Sequence, residues 1–183
     1  KGLARQGRTI VAFKSGNVEF FKNAGNAAGS VLAREGSSIS VGCTSQYGIV
    51  QYGDRIYWVG TEEGKVGVYQ LAGLSHKKIS TAEVDSLFAE AAATEASLMV
   101  ITSYGKPYLY LQTSRGAGSG YAFDPETGIW QLWTFSVAPY ASYSFSILGA
   151  DATVWSTFYV SLGQTEVYVN DQAPVLGSVQ TGP

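Results

Sequence analysis

Tyr57-Trp58-Val59-Gly60-Thr61-Glu62-Glu63-Gly64-Lys65-Val66-Gly67-Val68-Tyr69 is the stretch that decides the fold of this 183-residue chain. Two runs of β-branched and aromatic residues flank a polar turn with Gly inside it, the pattern of an antiparallel hairpin. The phrase returns downstream: Tyr108-Leu109-Tyr110 leads to Gly120-Tyr121-Ala122-Phe123, and Phe158-Tyr159-Val160 leads to Glu166-Val167-Tyr168-Val169. The second runs begin at residues 66, 120 and 166, at intervals of 54 and 46. Val11-Ala12-Phe13, leading across Lys14-Ser15-Gly16-Asn17 to Val18-Glu19-Phe20, reads as an earlier copy. Short strands in units of roughly 40–50 residues are the pattern of a β-propeller built of four-stranded blades. Stacked blades bury both faces of their strands, which gives apolar runs without clean alternation.

Outward from these hairpins, further strands are expected at 39–43, 48–51, 98–103, 129–135, 141–148 and 153–161. The Gly-, Ala- and Ser-rich segment 23–38 predicts a loop with at most a short strand at 30–33. One segment differs. Ser80-Thr81-Ala82-Glu83 has the form of a capping box, and Val84, Leu87, Phe88 and Ala91 recur at helical spacing, so a helix is expected over 81–94. The second interval lies within the blade range, and the first exceeds that range where a helix inserted between blades is expected. The expected fold is therefore all-β, with about three to three and a half propeller blades and one inserted helix. Residues 1–183 are read as part of one propeller domain with blade-like units at 9–72, 97–135 and 141–170. The chain opens Lys1-Gly2-Leu3 and closes on Gly182-Pro183, from which it is expected to be part of a longer protein.

Composition narrows the function classes. Charged residues are only 14%, aromatics 13%, and glycines number 22. Hydrophobic residues at 45% exclude disorder for most of the chain, and the shortage of charge excludes a coiled coil. One cysteine excludes a disulfide scaffold. The 12 Tyr and 4 Trp either fill a β-rich core or supply surface for protein contacts, where aromatics are enriched and Lys and Glu depleted. No apolar run approaches a membrane span. The net charge is −2, so the chain as a whole lacks the basic excess of a duplex-gripping protein. Charge is nevertheless uneven: residues 1–60 hold seven Lys/Arg against three Asp/Glu, while residues 61–183 are acidic. The basic start reads as a solvated segment or an interaction arm.

Candidate chemistry is sparse. His76 beside Ser75 lacks a nucleophile elbow and is read as a solvated loop residue. Cys43, after Val41-Gly42, is read as a buried structural thiol. One His and one Cys cannot build a zinc site of the usual ligand type. The acids Glu62, Glu63, Asp124 and Glu126 fall in expected hairpin turns, where carboxylates are normally solvated. Asp124 lacks the alternating oxygen ligands of a calcium loop. The Gly-rich run from Arg115 to Gly120 opens no helix and lacks the Lys-Ser/Thr ending of a phosphate cradle. No catalytic, cofactor or metal residue is expected, and the chain is read as a non-enzyme. Lys77 and Lys78 remain as candidate contact residues for DNA or an acidic partner, and Arg115 as a further candidate contact residue.

The order Thr9-Ile10-Val11-Ala12-Phe13-Lys14-Ser15-Gly16-Asn17, Val41-Gly42-Cys43, Tyr57-Trp58-Val59-Gly60 and Lys78-Ile79-Ser80-Thr81 resembles the packaged-DNA stabilisation proteins of P22-like short-tailed phages. These are also called tail accessory or nozzle proteins. The resembling words cover a little under half the chain; known members are much longer. The resemblance implies a structural component of the virion: a ring beneath the portal that self-associates, meets portal and tail proteins, and extends the DNA conduit. It also implies assembly in the bacterial host cytoplasm, no cofactor, and at most non-specific contact with packaged DNA. The alternative reading is a kelch- or lectin-like propeller that binds a protein or glycan through loops at one end.

Overall fold

The computed structural model describes residues 1–25, 29–90, 93–103, 105–113, 119–134, 139–147, 154–161, 166–170 and 179–180. Strands run in meanders, each hydrogen-bonded to its neighbour in sequence. β1 (Gly2–Gln6), β2 (Thr9–Phe13), β3 (Val18–Asn23) and β4 (Leu32–Ile39) form the first antiparallel sheet in that order. The second holds β5 (Gly42–Cys43), β6 (Ile49–Tyr52), β7 (Arg55–Glu62), β8 (Lys65–Ala72) and β9 (Ser75–Lys78). α1 (Ala82–Glu90) follows and packs against β8. β10 (Ser97–Ser103), β11 (Lys106–Gln112), β12 (Ser119–Phe123) and β13 (Trp130–Thr134) make the third sheet. β14 (Pro139–Ile147), β15 (Val154–Ser161), β16 (Glu166–Asn170) and β17 (Val179–Gln180) make the fourth. The all-β architecture of blade-like sheets with a single short helix is thus observed among the described residues. The stretch 9–72 contributes strands to the first two sheets, while 97–135 and 141–170 each contribute to one.

The chain divides into two compact units, Lys1–Leu98 and Met99–Pro183. In the first, the two sheets bury one apolar core. Val11, Phe13, Val18, Phe20 and Ile39 from the first sheet meet Ile56, Trp58, Tyr69 and Leu71 from the second. Trp58 is the hub: its ring lies 5.4 Å from Phe13 and 5.7 Å from Tyr69. Fully burying one such side chain contributes roughly 1.5–3 kcal/mol. In the second unit, Met99, Ile101, Tyr110 and Ala122 form a core flanked by Tyr108 and Trp133, whose rings stand 4.8 Å apart.

The second sheet is a four-stranded meander whose first strand is broken. β5 pairs with residues 60–61 of β7 and β6 with residues 55–58, so both lie along the same edge. Between them, residues 44–48 arch outward opposite Val59. The Thr44 N–H donates to the Val59 carbonyl at 3.0 Å, and the Val59 N–H donates to the Gly48 carbonyl at 2.8 Å, so the break leaves the Val59 backbone satisfied. The β7–β8 loop is tighter than the five polar residues suggest. Glu62 pairs with Lys65, leaving only Glu63-Gly64, both at positive φ (50° and 79°), the two-residue turn that matches strand twist.

Four sequence expectations are corrected. The segment 23–38 is not mainly loop: its second half is β4, an eight-residue strand with alternating exposure. Its apolar content is low because an edge strand is held by backbone pairing, here with cross-strand ion pairs. The expected strand 39–43 is divided, with Ile39 ending the first sheet and Gly42-Cys43 starting the second. Within the basic start, Gly2–Gln6 is β1, paired along its length with β2. The helix spans 82–90 rather than 81–94, with 91–92 outside the described residues. Thr81, not Ser80, caps it: Thr81 Oγ1 accepts from the Val84 N–H at 3.4 Å. Val84 and Phe88 are buried and Leu87 half-buried. The expected strand edges Phe135, Leu148 and Thr153 fall outside the described residues.

Candidate functional site

Of the three candidate contact residues, the structure places two on β9 and describes nothing of Arg115. Lys77 is exposed. Lys78 is engaged: its Nζ lies 2.6 Å from Asp85 Oδ2 on the helix. Asp85 also accepts from the Ser80 hydroxyl at 2.6 Å, and Ser80 Oγ in turn accepts from the Val68 N–H at 2.9 Å. Lys78 therefore fastens α1 to the edge of the second sheet. A Cβ at Gly67 would collide with the Lys78 and Ser80 side chains, so the clasp needs that glycine.

His76 is an edge-strand residue, not a loop histidine. Its Nε2 is 3.0 Å from Glu62 Oε1 and its ring meets Tyr69 edge-on at 5.6 Å. Glu62, Tyr69 and His76 thereby tie β7, β8 and β9 together. Cys43 is fully buried; its thiol donates to the Ser45 carbonyl at 3.1 Å, and burial pushes its pKa up to about 11. It is the inert structural thiol expected. Burial likewise raises Tyr69 and Tyr110 to about 12.

Two carboxylates are held charged by built surroundings. Asp124 is not a solvated turn acid: it is buried, its Oδ2 meets Lys106 Nζ at 2.9 Å, and its Oδ1 accepts from the Glu126 N–H at 2.9 Å. The Lys106 hydrogen bond leads in lowering its pKa to about 2. Lys106 also reaches Glu126 at 3.1 Å, and both acids hold its own value above the lysine range. Glu19 sits buried on the face of the first sheet turned away from the core. Lys14 approaches it at 2.6 Å and Arg34 at 2.9 Å. Lys14 leads in pulling it below the carboxylate range, with Arg34 and Asn17 adding to the effect. These are structural ion pairs; among the described residues no group of three metal-ligating side chains occurs. Among the described residues no helix is long and apolar enough to cross a membrane.

Sequence reasoning missed the basic end of the first sheet. Arg5 on β1, Arg8 in the β1–β2 turn and Lys22 on β3 line a shallow groove with Thr9, Asn23 and Glu35. The positive balance of residues 1–60 was the available signal, but only strand pairing brings its members to one place. The inner edges of the two sheets are stitched nearby. Gln51 on β6 donates from Nε2 to the Arg5 carbonyl at 2.8 Å and accepts from the Arg5 N–H at 3.3 Å, a side-chain amide taking the place of a strand partner.

Much apolar surface is left open. Leu3, Val31 and Leu32 on the first sheet, Tyr47, Tyr52 and Leu74 on the second, and Ile129 and Leu132 on the third are exposed. In the first unit these lie at sheet edges, arches and turn tips and on the outward face of the first sheet, not in one cleft.

A family model described as "Bacteriophage P22 Gp10, beta-propeller" matches residues 1–113. No curated protein matches the chain.

Proposed function

We propose, because the chain belongs to the phage-stabilisation family of the bacteriophage P22 Gp10 β-propeller, that it is a structural component of a phage tail. In this reading copies associate into a ring beneath the portal, extend the DNA conduit and help to retain the packaged genome. The observation that carries the reading beyond the family is the open apolar surface, with Leu3, Leu74 and Leu132 each at least half exposed. Such surface on a charge-poor chain suits permanent protein contacts. Titratable groups that elsewhere signal catalysis are here spent on fastening strands, as with His76–Glu62 and Lys106–Asp124. The proposed role involves neither turnover nor cofactor. Electron microscopy of the purified protein mixed with portal rings from its own phage is the test. Ring-shaped density continuing the portal channel is expected; a monomer that leaves the portal bare would refute the reading. A binding module of kelch or lectin type would instead stay monomeric and bind its ligand without the portal.

A further inference from the structure

Two surfaces of the chain carry opposite surplus charge beside incompletely covered apolar side chains. One is the outward face of the first sheet. Strand register sets two cross-strand rows on it, Leu3–Ala12–Glu19–Ser38 and Arg5–Ile10–Phe21–Arg34. Leu3 is exposed, and Ile10, Ala12 and Phe21 are half-buried. Buried Glu19 meets both Lys14, at 2.6 Å, and Arg34, at 2.9 Å, and each cation keeps about half of its side chain open. One carboxylate between two cations leaves a positive charge over. The other surface is on the third sheet. Leu109, Phe123 and Trp130 pair across it, so their neighbours Tyr108, Asp124 and Ile129 share the opposite face. The Asp124 N–H donates to the Ile129 carbonyl at 2.9 Å, which closes the turn between them. Lys106 lies on that face too, with its Nζ 5.9 Å from the Tyr108 ring centre. It meets Asp124 at 2.9 Å and Glu126 at 3.1 Å, so here one cation between two carboxylates leaves a negative charge over. The Glu126 side chain is 73% exposed and Ile129 is 54% exposed. The two triplets are opposite in sign and alike in setting, each on a sheet face with apolar surface still to cover. Such surfaces are complementary both in charge and in what they bury.

We infer that these surfaces are the two halves of one contact between copies of the chain. The outward face of the first sheet in one copy receives the 124–129 turn of the next, with Ile129 against Ile10 and Phe21 and Glu126 on Arg34. That copies associate rests on the phage-tail reading; which surfaces meet rests on the register and the charges. The halves differ, so the contact is heterologous and each copy offers one half to either neighbour, the arrangement from which rings close. Sedimentation velocity of the whole chain over a concentration series tests this. I129D places a carboxylate in the apolar contact and should weaken association at least about tenfold. L74D, at a residue similarly exposed but outside both surfaces, should leave it unchanged. E126Q and R34Q keep the Asp124–Lys106 and Glu19–Lys14 pairs in place. Each should weaken association about two- to fivefold, and the double variant should be no weaker than either single one. Additive losses in the double variant, unchanged association in I129D, an equal loss in L74D, or an unaltered chain that stays monomeric overturns the interface. Electron microscopy with portal rings separates this from the tail reading. Rings that persist on the portal in I129D overturn the interface and leave the tail reading standing. An unaltered chain that associates in the expected pattern yet leaves the portal bare counts against the tail reading alone.

Discussion

The two sheets of the first unit share a meander plan and differ in how many faces they bury. In the second sheet, Ile56, Tyr57, Trp58 and Val59 are all fully buried, so both faces of β7 are covered. In the first sheet only one face is. Val11, Phe13, Val18 and Phe20 are buried, while Ile10, Ala12 and Phe21 on the reverse are half-covered and Leu3 is open. Glu19 sits on that reverse face and draws two cations to itself. In β7 the apolar run coincides with burial on both sides, whereas in β3 Glu19 interrupts the apolar run on the face left partly open. The same hairpin chemistry serves both positions; what changes is which face receives polar residues.

The strongest way to break this contrast is Trp58→Ala. Trp58 spans the joint core, so its loss should cost about 3–5 kcal/mol by urea unfolding. Phe21→Ala, on the open face of the first sheet, should cost clearly less, and equal losses would show that the outward face is covered too. Next comes the junction. A Cβ on Gly42 would overlap the Ser15 carbonyl, because the tip of the β2–β3 hairpin rests on the start of the second sheet, with the Cys43 N–H donating to the Lys14 carbonyl at 2.7 Å. Gly42→Ala should destabilise by about 1–3 kcal/mol. Gly36→Ala, on β4 with nothing near its added methyl, should instead be neutral or stabilising by up to about 1 kcal/mol.

A third prediction concerns acid. The folded value of Glu19 lies below its ordinary one, so the native state binds fewer protons than the unfolded chain across that interval. Its contribution is complete above the ordinary carboxylate value and is lost as pH falls through the depressed one. Acid titration should therefore loosen β3 and β4 with a pH slope that Glu19→Gln reduces, read by amide exchange; an unaltered slope would remove Glu19 from its assigned role. The smallest expected effect is none at all. Cys43 should not react with a disulfide reagent at pH 8 until denaturant is added, and rapid labelling of the native chain would show that the junction between the sheets opens.

How much of this was legible in the sequence follows from the physics of each element. The hairpins of the second and third sheets were readable because apolar runs and Gly-containing turns are local signals. β1 and β4 were not. Arg5, Arg34 and Glu35 make these strands look like solvent-exposed chain, and they are strands only because β2 and β3 offer them open backbone edges. The divided strand at 39–43 was hidden because Ile39, Val41 and Cys43 are all buried, though on either side of a change of sheet. Of the candidate contacts, the ion pair of Lys78 was hidden because its partner Asp85 lies a helix turn into the next element. Arg5, Arg8 and Lys22 come to one end of the first sheet only through the β1–β2–β3 pairing, which sets Arg5 opposite Ile10 and Lys22 opposite Thr9.

The side-chain stitch between Gln51 and Arg5 has a consequence for the order in which the chain folds. Hairpin partners in both sheets are close in sequence, several across two-residue loops, so each meander can form from its own segment as synthesis proceeds. The stitch joins residues 46 positions apart and has nothing to hold until both meanders exist. It therefore belongs to the late side of the folding barrier. Weakening it would leave the rate of folding almost untouched and show itself as faster unfolding, with the two sheets parting along their inner edge.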